Sequence, residues 1–314
     1  MQTAANPYVT IIGPIDRAVP RMSFCGVFNK FAGIISPLIF AKFILKNTDK
    51  ALLEALPTMS EVAKNAALDE LTLRMMIPYA CLALLLIGAG LFIRYSVLPE
   101  INTENESEEV AQSHGGKTSI FQFPYLVLGF VALFAHVGTQ VIAIDTIIGY
   151  ANSMGMDLIS AKKLPSYTLT ATMIGYIIGI LCIPRLISQT NSLRVCTITG
   201  LILSLCILFV PGQMMYNGHE ISVSVWFIAL LGLPNALIYA GIWPLAIRNL
   251  GRFTKTGASI LVMALVGNAI LPMIWGHYAD TIGARAAYWL LLPCFVYLVF
   301  YAVYGHKITS WTKK

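Results

Sequence analysis

The residue in this chain most able to do chemistry is an aspartate inside an apolar run. Of fifteen acidic residues, only Asp145 falls within a stretch apolar enough to span a bilayer, and an ionisable group there is costly and by default functional. Asp145 lies near the outer end of its segment, where the alternative is that it simply reaches headgroup water. His136 stands nine residues earlier, with Gln140 between them. On an ideal helix His136 and Gln140 share a face and Asp145 points nearly opposite, so a single polar surface requires a kink, which Gly138 or Gly149 would permit. An imidazole with an ordinary pKa of about 6.5 suits proton movement, its competing role being a hydrogen-bonded packing residue. His136 and Asp145 are therefore the proton-handling candidates drawn from the residues themselves.

A second set of side chains suits a polyhydroxylated ligand. Asn6, Asn29, Asn235 and Asn268 carry amides that both donate to and accept from hydroxyls, while Tyr239 and Trp243, four apart, offer aromatic faces. Interhelical bonding and interfacial packing are the competing roles. Lys30 enters its apolar segment about 12 Å from one end at 1.5 Å per residue and is read as a snorkelling cation. His277-x-x-Asp280 has the spacing of a metal pair but sits at the end of a segment, where a solvated turn is expected. The six cysteines fall in or beside apolar runs without a C-x-x-C pattern and are read as buried thiols. No Ser/His/Asp set, P-loop or dinucleotide fingerprint appears, so no metal or cofactor is expected and an enzyme is the last-ranked reading.

The elements that position these residues follow from composition. The chain of 314 residues is 57% hydrophobic and 11% charged, with a mean hydropathy of +0.73, which leaves a polytopic membrane protein as the class. The net charge of +6 is spread over short loops and segment ends, so it carries topology and not nucleic-acid binding. From Leu231 to Gly283 two apolar segments flank a basic turn of Arg248, Arg252 and Lys255, interrupted by Pro244, Gly251 and Pro272. A fainter copy opens the chain, with Pro7, Gly13, Arg17, Arg21 and Pro37. Matched broken helices point to a transport site between repeats.

Along the chain, Met1 to Gly13 reaches only about 20 Å as a helix, short of a hydrocarbon core of about 30 Å, so the chain is expected to begin in mid-helix. Ser23 to Leu45 can span. Lys46 to Leu73, with Pro57, reads as a polar surface link, and Arg74 to Val97 as a further span. Glu100, Glu104, Glu106, Glu108 and Glu109 mark a linker. Six spans follow, over about 121–150, 164–184, 193–211, 222–247, 255–278 and 284–305. The expected organisation is a partial N-terminal bundle at 1–97, a linker at 98–120 and a complete six-helix bundle at 121–314. If the Pro7 segment corresponds to the Pro244 segment, the first bundle is N-terminally truncated. Arg17, Arg21, Arg94, Lys117, Arg185, Arg194, Arg248, Arg252 and Lys255 share the side that the positive-inside rule makes cytoplasmic, together with the linker and the C-terminus.

TAANPYVTIIGP from Thr3, RMSFCGVFNKFAGIISP from Arg21, HVGTQ at 136–140, PLAIRNLGRFTKTGASILVMALVGNAILP from Pro244 and the following GHYAD resemble the fucose:proton symporter family of the major facilitator superfamily, which includes L-fucose and glucose/galactose permeases. The similarity covers nearly the whole chain, from the fourth helix of that fold to the twelfth. It implies an all-α, major-facilitator-type helical bundle with one complete six-helix half and a partial first half, in a bacterial inner membrane. It further implies a sugar carrier working by alternating access, with a small-molecule sugar, a proton and the lipid bilayer as partners and no cofactor. The family usually has a proton-handling glutamate just before T-A-A-N-P; here that place is Gln2, whose amide has no titratable proton. Asn29 matches a family amide, whereas Gly26 stands where the family has a glutamine. Tyr239 matches a cavity tyrosine, and Gln140 falls at a position that is polar in the family. The alternative is a non-transporting remnant or membrane interaction protein of the same fold.

Overall fold

Helix starts in this chain are set by local chemistry. Pro124 and Pro165 occupy first-turn positions, where a missing N–H costs nothing, and Ser188 caps the helix after it by accepting the Asn191 N–H at 3.3 Å. The computed structural model describes residues 8–10, 13–14, 17–44, 59–96, 119–216 and 218–311. Its helices are α1 (Ala18–Ile44), α2 (Glu61–Tyr95), α3 (Pro124–Ser153), α4 (Leu164–Cys182), α5 (Gln189–Phe209), α6 (Ser224–Leu230), α7 (Gly232–Ile247), α8 (Thr254–Met263), α9 (Gly267–Ile282) and α10 (Leu291–Val303), with strands β1 (Gln213–Tyr216) and β2 (His219–Ser222) between α5 and α6. Among the described residues, seven helical runs are long and apolar enough to cross a membrane: α2, α3, α4, α5, α6 with α7, α8 with α9, and Ala286–Lys307. The protein is an integral membrane protein, and the last six runs fall within a few residues of the spans expected after the linker.

The chain divides into two compact units, Met1–Phe31 with Asn102–Lys314, and Ala32–Ile101. In the first, α7 packs on α4, α3 and α5, while α3 also meets α9 and α10. Glycine makes these approaches close. A Cβ on Gly232 would stand 2.1 Å from the Thr168 carbonyl oxygen, one on Gly175 2.4 Å from that of Leu233, and one on Gly267 2.3 Å from that of Phe134. Small residues at such crossings are how membrane helices gain packing where lipid offers no hydrophobic drive. The prolines were expected to break helices, yet Pro244 and Pro272 lie inside α7 and α9. The irregularities fall instead at Leu231 and at the 3-10 turn Ala264–Val266, each directly before a contact glycine. At the far end of α5, Arg285 donates to the Ile207 and Val210 carbonyls at 3.1 and 2.6 Å, satisfying acceptors that a helix terminus leaves open.

In the second unit, α2 is one helix of 35 residues, so the later part of the polar link belongs to the helix that follows it. Its charges are at helical spacing, and Glu70 pairs with Arg74 at 2.5 Å, one turn apart. Residues 45–58 and 97–118, including Pro57 and the linker glutamates, lie outside the described residues. The apolar side chains of α2, among them Ile77, Leu84 and Phe92, are exposed. The cysteines differ from expectation: Cys196 is buried, but Cys25 and Cys81 are exposed on apolar helices.

The β-hairpin was not anticipated. Its register pairs Tyr216 with His219, so two residues turn it, and Gly218 has a φ of 82°, the geometry such turns demand. The hairpin is tied down by three contacts. His219 Nε2 lies 3.0 Å from Asp157 Oδ1, the Ser222 N–H donates to Met154 Sδ at 3.3 Å, and Tyr216 packs in an aromatic trio with Tyr167 and Trp226. The Ser160 N–H donates to Asp157 at 2.9 Å and, ahead of His219, holds that carboxyl below its ordinary value of 3.8. A depressed folded-state pKa stabilises above the unfolded value, and the contribution disappears as pH falls through the folded one. Trp226 emission of the wild type and of Asp157→Asn is therefore expected to differ at neutral pH and to converge under acid, below that ordinary value. Identical spectra at neutral pH would remove Asp157 from hairpin docking.

Candidate functional site

Three residues of α7 at four-residue spacing, Asn235, Tyr239 and Trp243, fall on one helix face. The Tyr239 and Trp243 rings stack, with centroids 5.8 Å apart and planes at 19°. Across from them α3 supplies His136, whose ring centroid lies 6.4 Å from that of Tyr239. His136 and Trp243 are fully buried and Asn235 is 1% exposed. Both ring nitrogens of His136, Oδ1 of Asn235 and Nε1 of Trp243 have no hydrogen-bond partner. Each such group costs about 1–3 kcal/mol of desolvation when left unpaired, and a buried polar atom without a partner calls for an explanation.

The first half of α1 packs against α4 and the start of α5. Val19, Met22 and Ser23 are buried, and the Val19 N–H donates to Gln189 Oε1 at 3.0 Å. One turn on, Gly26 admits the Tyr176 ring to 2.5 Å from where a Cβ would stand. A further turn along the same face, Lys30 is half-buried. Lys30 thus faces protein in addition to the interface it was expected to reach.

The other candidates are scattered. Gln140 is partly exposed one turn beyond His136, whereas Asn29, Asp145 and Asn268 are exposed. Gln2 and Asn6 lie outside the described residues. The kink that would unite Asp145 with His136 is absent: α3 is continuous from Pro124 to Ser153, and Gly138 serves instead to admit Leu271 and the Gly267 carbonyl. His277 and Asp280 are both exposed at the end of α9. Sequence reasoning missed Tyr176 and Ser23, whose buried hydroxyl is also unpartnered. Their signal was the small residue at Gly26, three positions after Ser23. A cavity of about 560 Å³ is lined by Gln189, Gly241, Pro244 and Arg248. A larger one of about 790 Å³ is lined by Tyr150 and Trp289, and Tyr150 is roughly 21 Å along α3 from His136, too far to belong to the site.

No family model matches the chain. It is 29% identical over 310 residues to the glucose/galactose transporter of Brucella abortus, covering 98% of this chain and 68% of that protein. It is 27% identical over 292 residues to the L-fucose-proton symporter of Escherichia coli K12, covering 90% and 63% respectively. The crystal structure of a variant of the E. coli fucose:proton symporter superposes with a TM-score of 0.79 at 24% identity, over 97% of this chain and 73% of that one. A major facilitator superfamily transporter in the outward conformation gives 0.78 at 22% identity, over 97% and 72%. The chain spans about two thirds of the length of these relatives. The six closing spans and these likenesses together give the chain the helical fold of the major facilitator superfamily, similar in sequence to a glucose/galactose transporter and a fucose:proton symporter.

Proposed function

We propose that this protein is a secondary active sugar transporter, a sugar:proton symporter of the fucose, glucose or galactose class, working by alternating access. The observation that carries it is the set of buried, unpartnered polar atoms on His136, Asn235 and Trp243, with the His136 and Trp243 rings each next to Tyr239. It can donate to and accept from hydroxyls without any acid, base and nucleophile set. Asn235, Tyr239 and Trp243 form the centre of the sugar site, with Asn29, Gln140, Asn6 and Asn268 as further amide candidates. Since Gln2 cannot titrate, His136 is the first proton-coupling candidate and Asp145 the second. The relatives named above are transporters and not enzymes. The distribution of basic residues supports a cytoplasmic linker and C-terminus in a bacterial inner membrane, and the order of spans supports the division at 1–97, 98–120 and 121–314.

The test is sugar-driven proton uptake in proteoliposomes with fucose, galactose, glucose and mannose. At least one sugar is expected to drive uptake, and Tyr239→Phe, which removes one hydroxyl, is expected to weaken sugar uptake by about tenfold without loss of membrane insertion. If no sugar moved protons or bound, the reading would fail.

A further inference from the structure

Three membrane spans end, and a fourth begins, around one groove. Pro124–Ser153, Gln189–Phe209 and Thr254–Ile282 stop there and Ala286–Lys307 starts there, and the groove of about 790 Å³ is lined by Ser153, Phe209, Ile282 and Ala286, the residues at which they do so. Where apolar spans stop, the hydrocarbon of a bilayer gives way to headgroups, so the groove stands at the level of the lipid phosphates. Tyr125, at the start of α3, donates to the Arg248 carbonyl at 2.9 Å. The groove is at the other end of α3, in the leaflet opposite the basic turn.

Its lining combines an apolar wall with a cation. Phe209 is 72% exposed, Ile282 52% and Trp289 43%, and apolar surface gathered at one place in this way marks contact with a membrane or a ligand. Tryptophan suits that level, having an apolar ring and an N–H. Among the described residues of the lining, Arg285 carries the charge. Its Nε and Nη2 donate to the Ile207 and Val210 carbonyls at 3.1 and 2.6 Å, which fixes the guanidinium against the end of α5 and engages two of its five N–H groups. A guanidinium held in a fixed plane matches two oxygens of a phosphate at once. On the hairpin side of the groove, the Ser222 hydroxyl accepts from Ser224 Oγ at 2.7 Å and keeps its own proton to donate.

From this geometry we infer that the groove binds an anionic phospholipid, with the phosphate on Arg285, the polar head toward Ser222 and an acyl chain along Phe209 and Ile282. The occupant is a lipid and not a free phosphate because the apolar wall adjoins the cation in the same groove. A small phosphate would engage Arg285 and leave Phe209, Ile282 and Trp289 uncovered. Tyr150, in the lining of the groove, is about 21 Å along α3 from His136, so the inference stands apart from the sugar-carrier reading and does not depend on it.

Native mass spectrometry of the full chain in detergent decides it, with dioleoyl phosphatidylglycerol, dioleoyl phosphatidylcholine and glycerol 3-phosphate titrated in turn. Phosphatidylglycerol is expected to bind about tenfold more tightly than phosphatidylcholine, whose choline offsets the charge that Arg285 meets, and glycerol 3-phosphate far more weakly than either. Arg285→Gln should bring the two lipids to about equal affinity. Because Arg285 also holds the end of α5, a second variant leaves its bonds in place: Ala286→Trp, at an exposed position of the lining, puts a ring into the groove and should weaken phosphatidylglycerol binding by about tenfold with the thermal unfolding midpoint unchanged. Equal binding of the two lipids by the wild type, or phosphatidylglycerol binding unaltered in Ala286→Trp, would overturn the inference. Glycerol 3-phosphate binding as tightly as phosphatidylglycerol would overturn it too, by making the groove a site for small phosphates.

Discussion

Gly232→Ala, a change of one methyl group, is expected to destabilise the protein by about 3 kcal/mol, the upper end of overpacking costs. The new Cβ would stand 2.1 Å from the Thr168 carbonyl oxygen and 2.8 Å from Thr172 Oγ1. Neither can step aside cheaply. The carbonyl belongs to the backbone of α4, and the Thr172 hydroxyl is already donating to that same carbonyl at 2.8 Å. Relief would require α4 and α7 to separate along their whole crossing, undoing contacts of buried Ala236 and Leu237. The measurement is the midpoint of thermal unfolding in detergent, with Gly149→Ala as control, since nothing lies within 4 Å of a Cβ there. Equal midpoints in the two variants would show that the α4 and α7 backbones are not in contact.

The second large effect has opposite signs in stability and in function. His136→Phe keeps an aromatic ring of similar shape in a fully buried position and removes two nitrogens that have no partner. Replacing an unsatisfied polar group by an apolar one of like shape is neutral or stabilising, so the unfolding midpoint should hold or rise. If His136 meets the substrate, loss of its hydrogen bond should weaken sugar binding by about ten- to a hundredfold. A gain in stability with a loss of binding is the behaviour of a group retained for function. A fall in stability with binding unchanged would make His136 a packing residue.

What the sequence disclosed and what it hid divide along physical lines. Spans were legible because an apolar run long enough to cross a bilayer has few other uses, and α3 to α10 appear where those runs lie. The separation of His136 from Asp145 also followed from helix arithmetic, and the continuity of α3 removes the kink that would have defeated it. The later part of the polar link departs from expectation because charges at helical spacing extend α2 and do not mark a surface loop. The hairpin is marked by Asn217-Gly218 between its strands, a strong short-range turn signal that the apolar runs do not carry. The cysteines were misjudged because an apolar neighbourhood in a membrane helix means lipid as often as protein. Least legible was the pairing of Gly26 with Tyr176, 150 positions apart, since which aromatic fills the space above a glycine is decided by tertiary packing alone.

The glycine crossings also bear on mechanics. Where side chains separate two helices, rotamers can yield and let the axes slide. Where a carbonyl lies against a bare Cα, as at Gly232 and Thr168, Gly175 and Leu233, and Gly267 and Phe134, there is no compliant layer between the helices. Sliding or tilting within these pairs would drive one backbone into the other. The pairs α4 with α7 and α3 with α9 are therefore stiff, and since α3 also packs on α7, the four travel as one block. Displacement is left to joints without such contacts, such as Gly155 and Gly283, where φ is positive and the surrounding space is open.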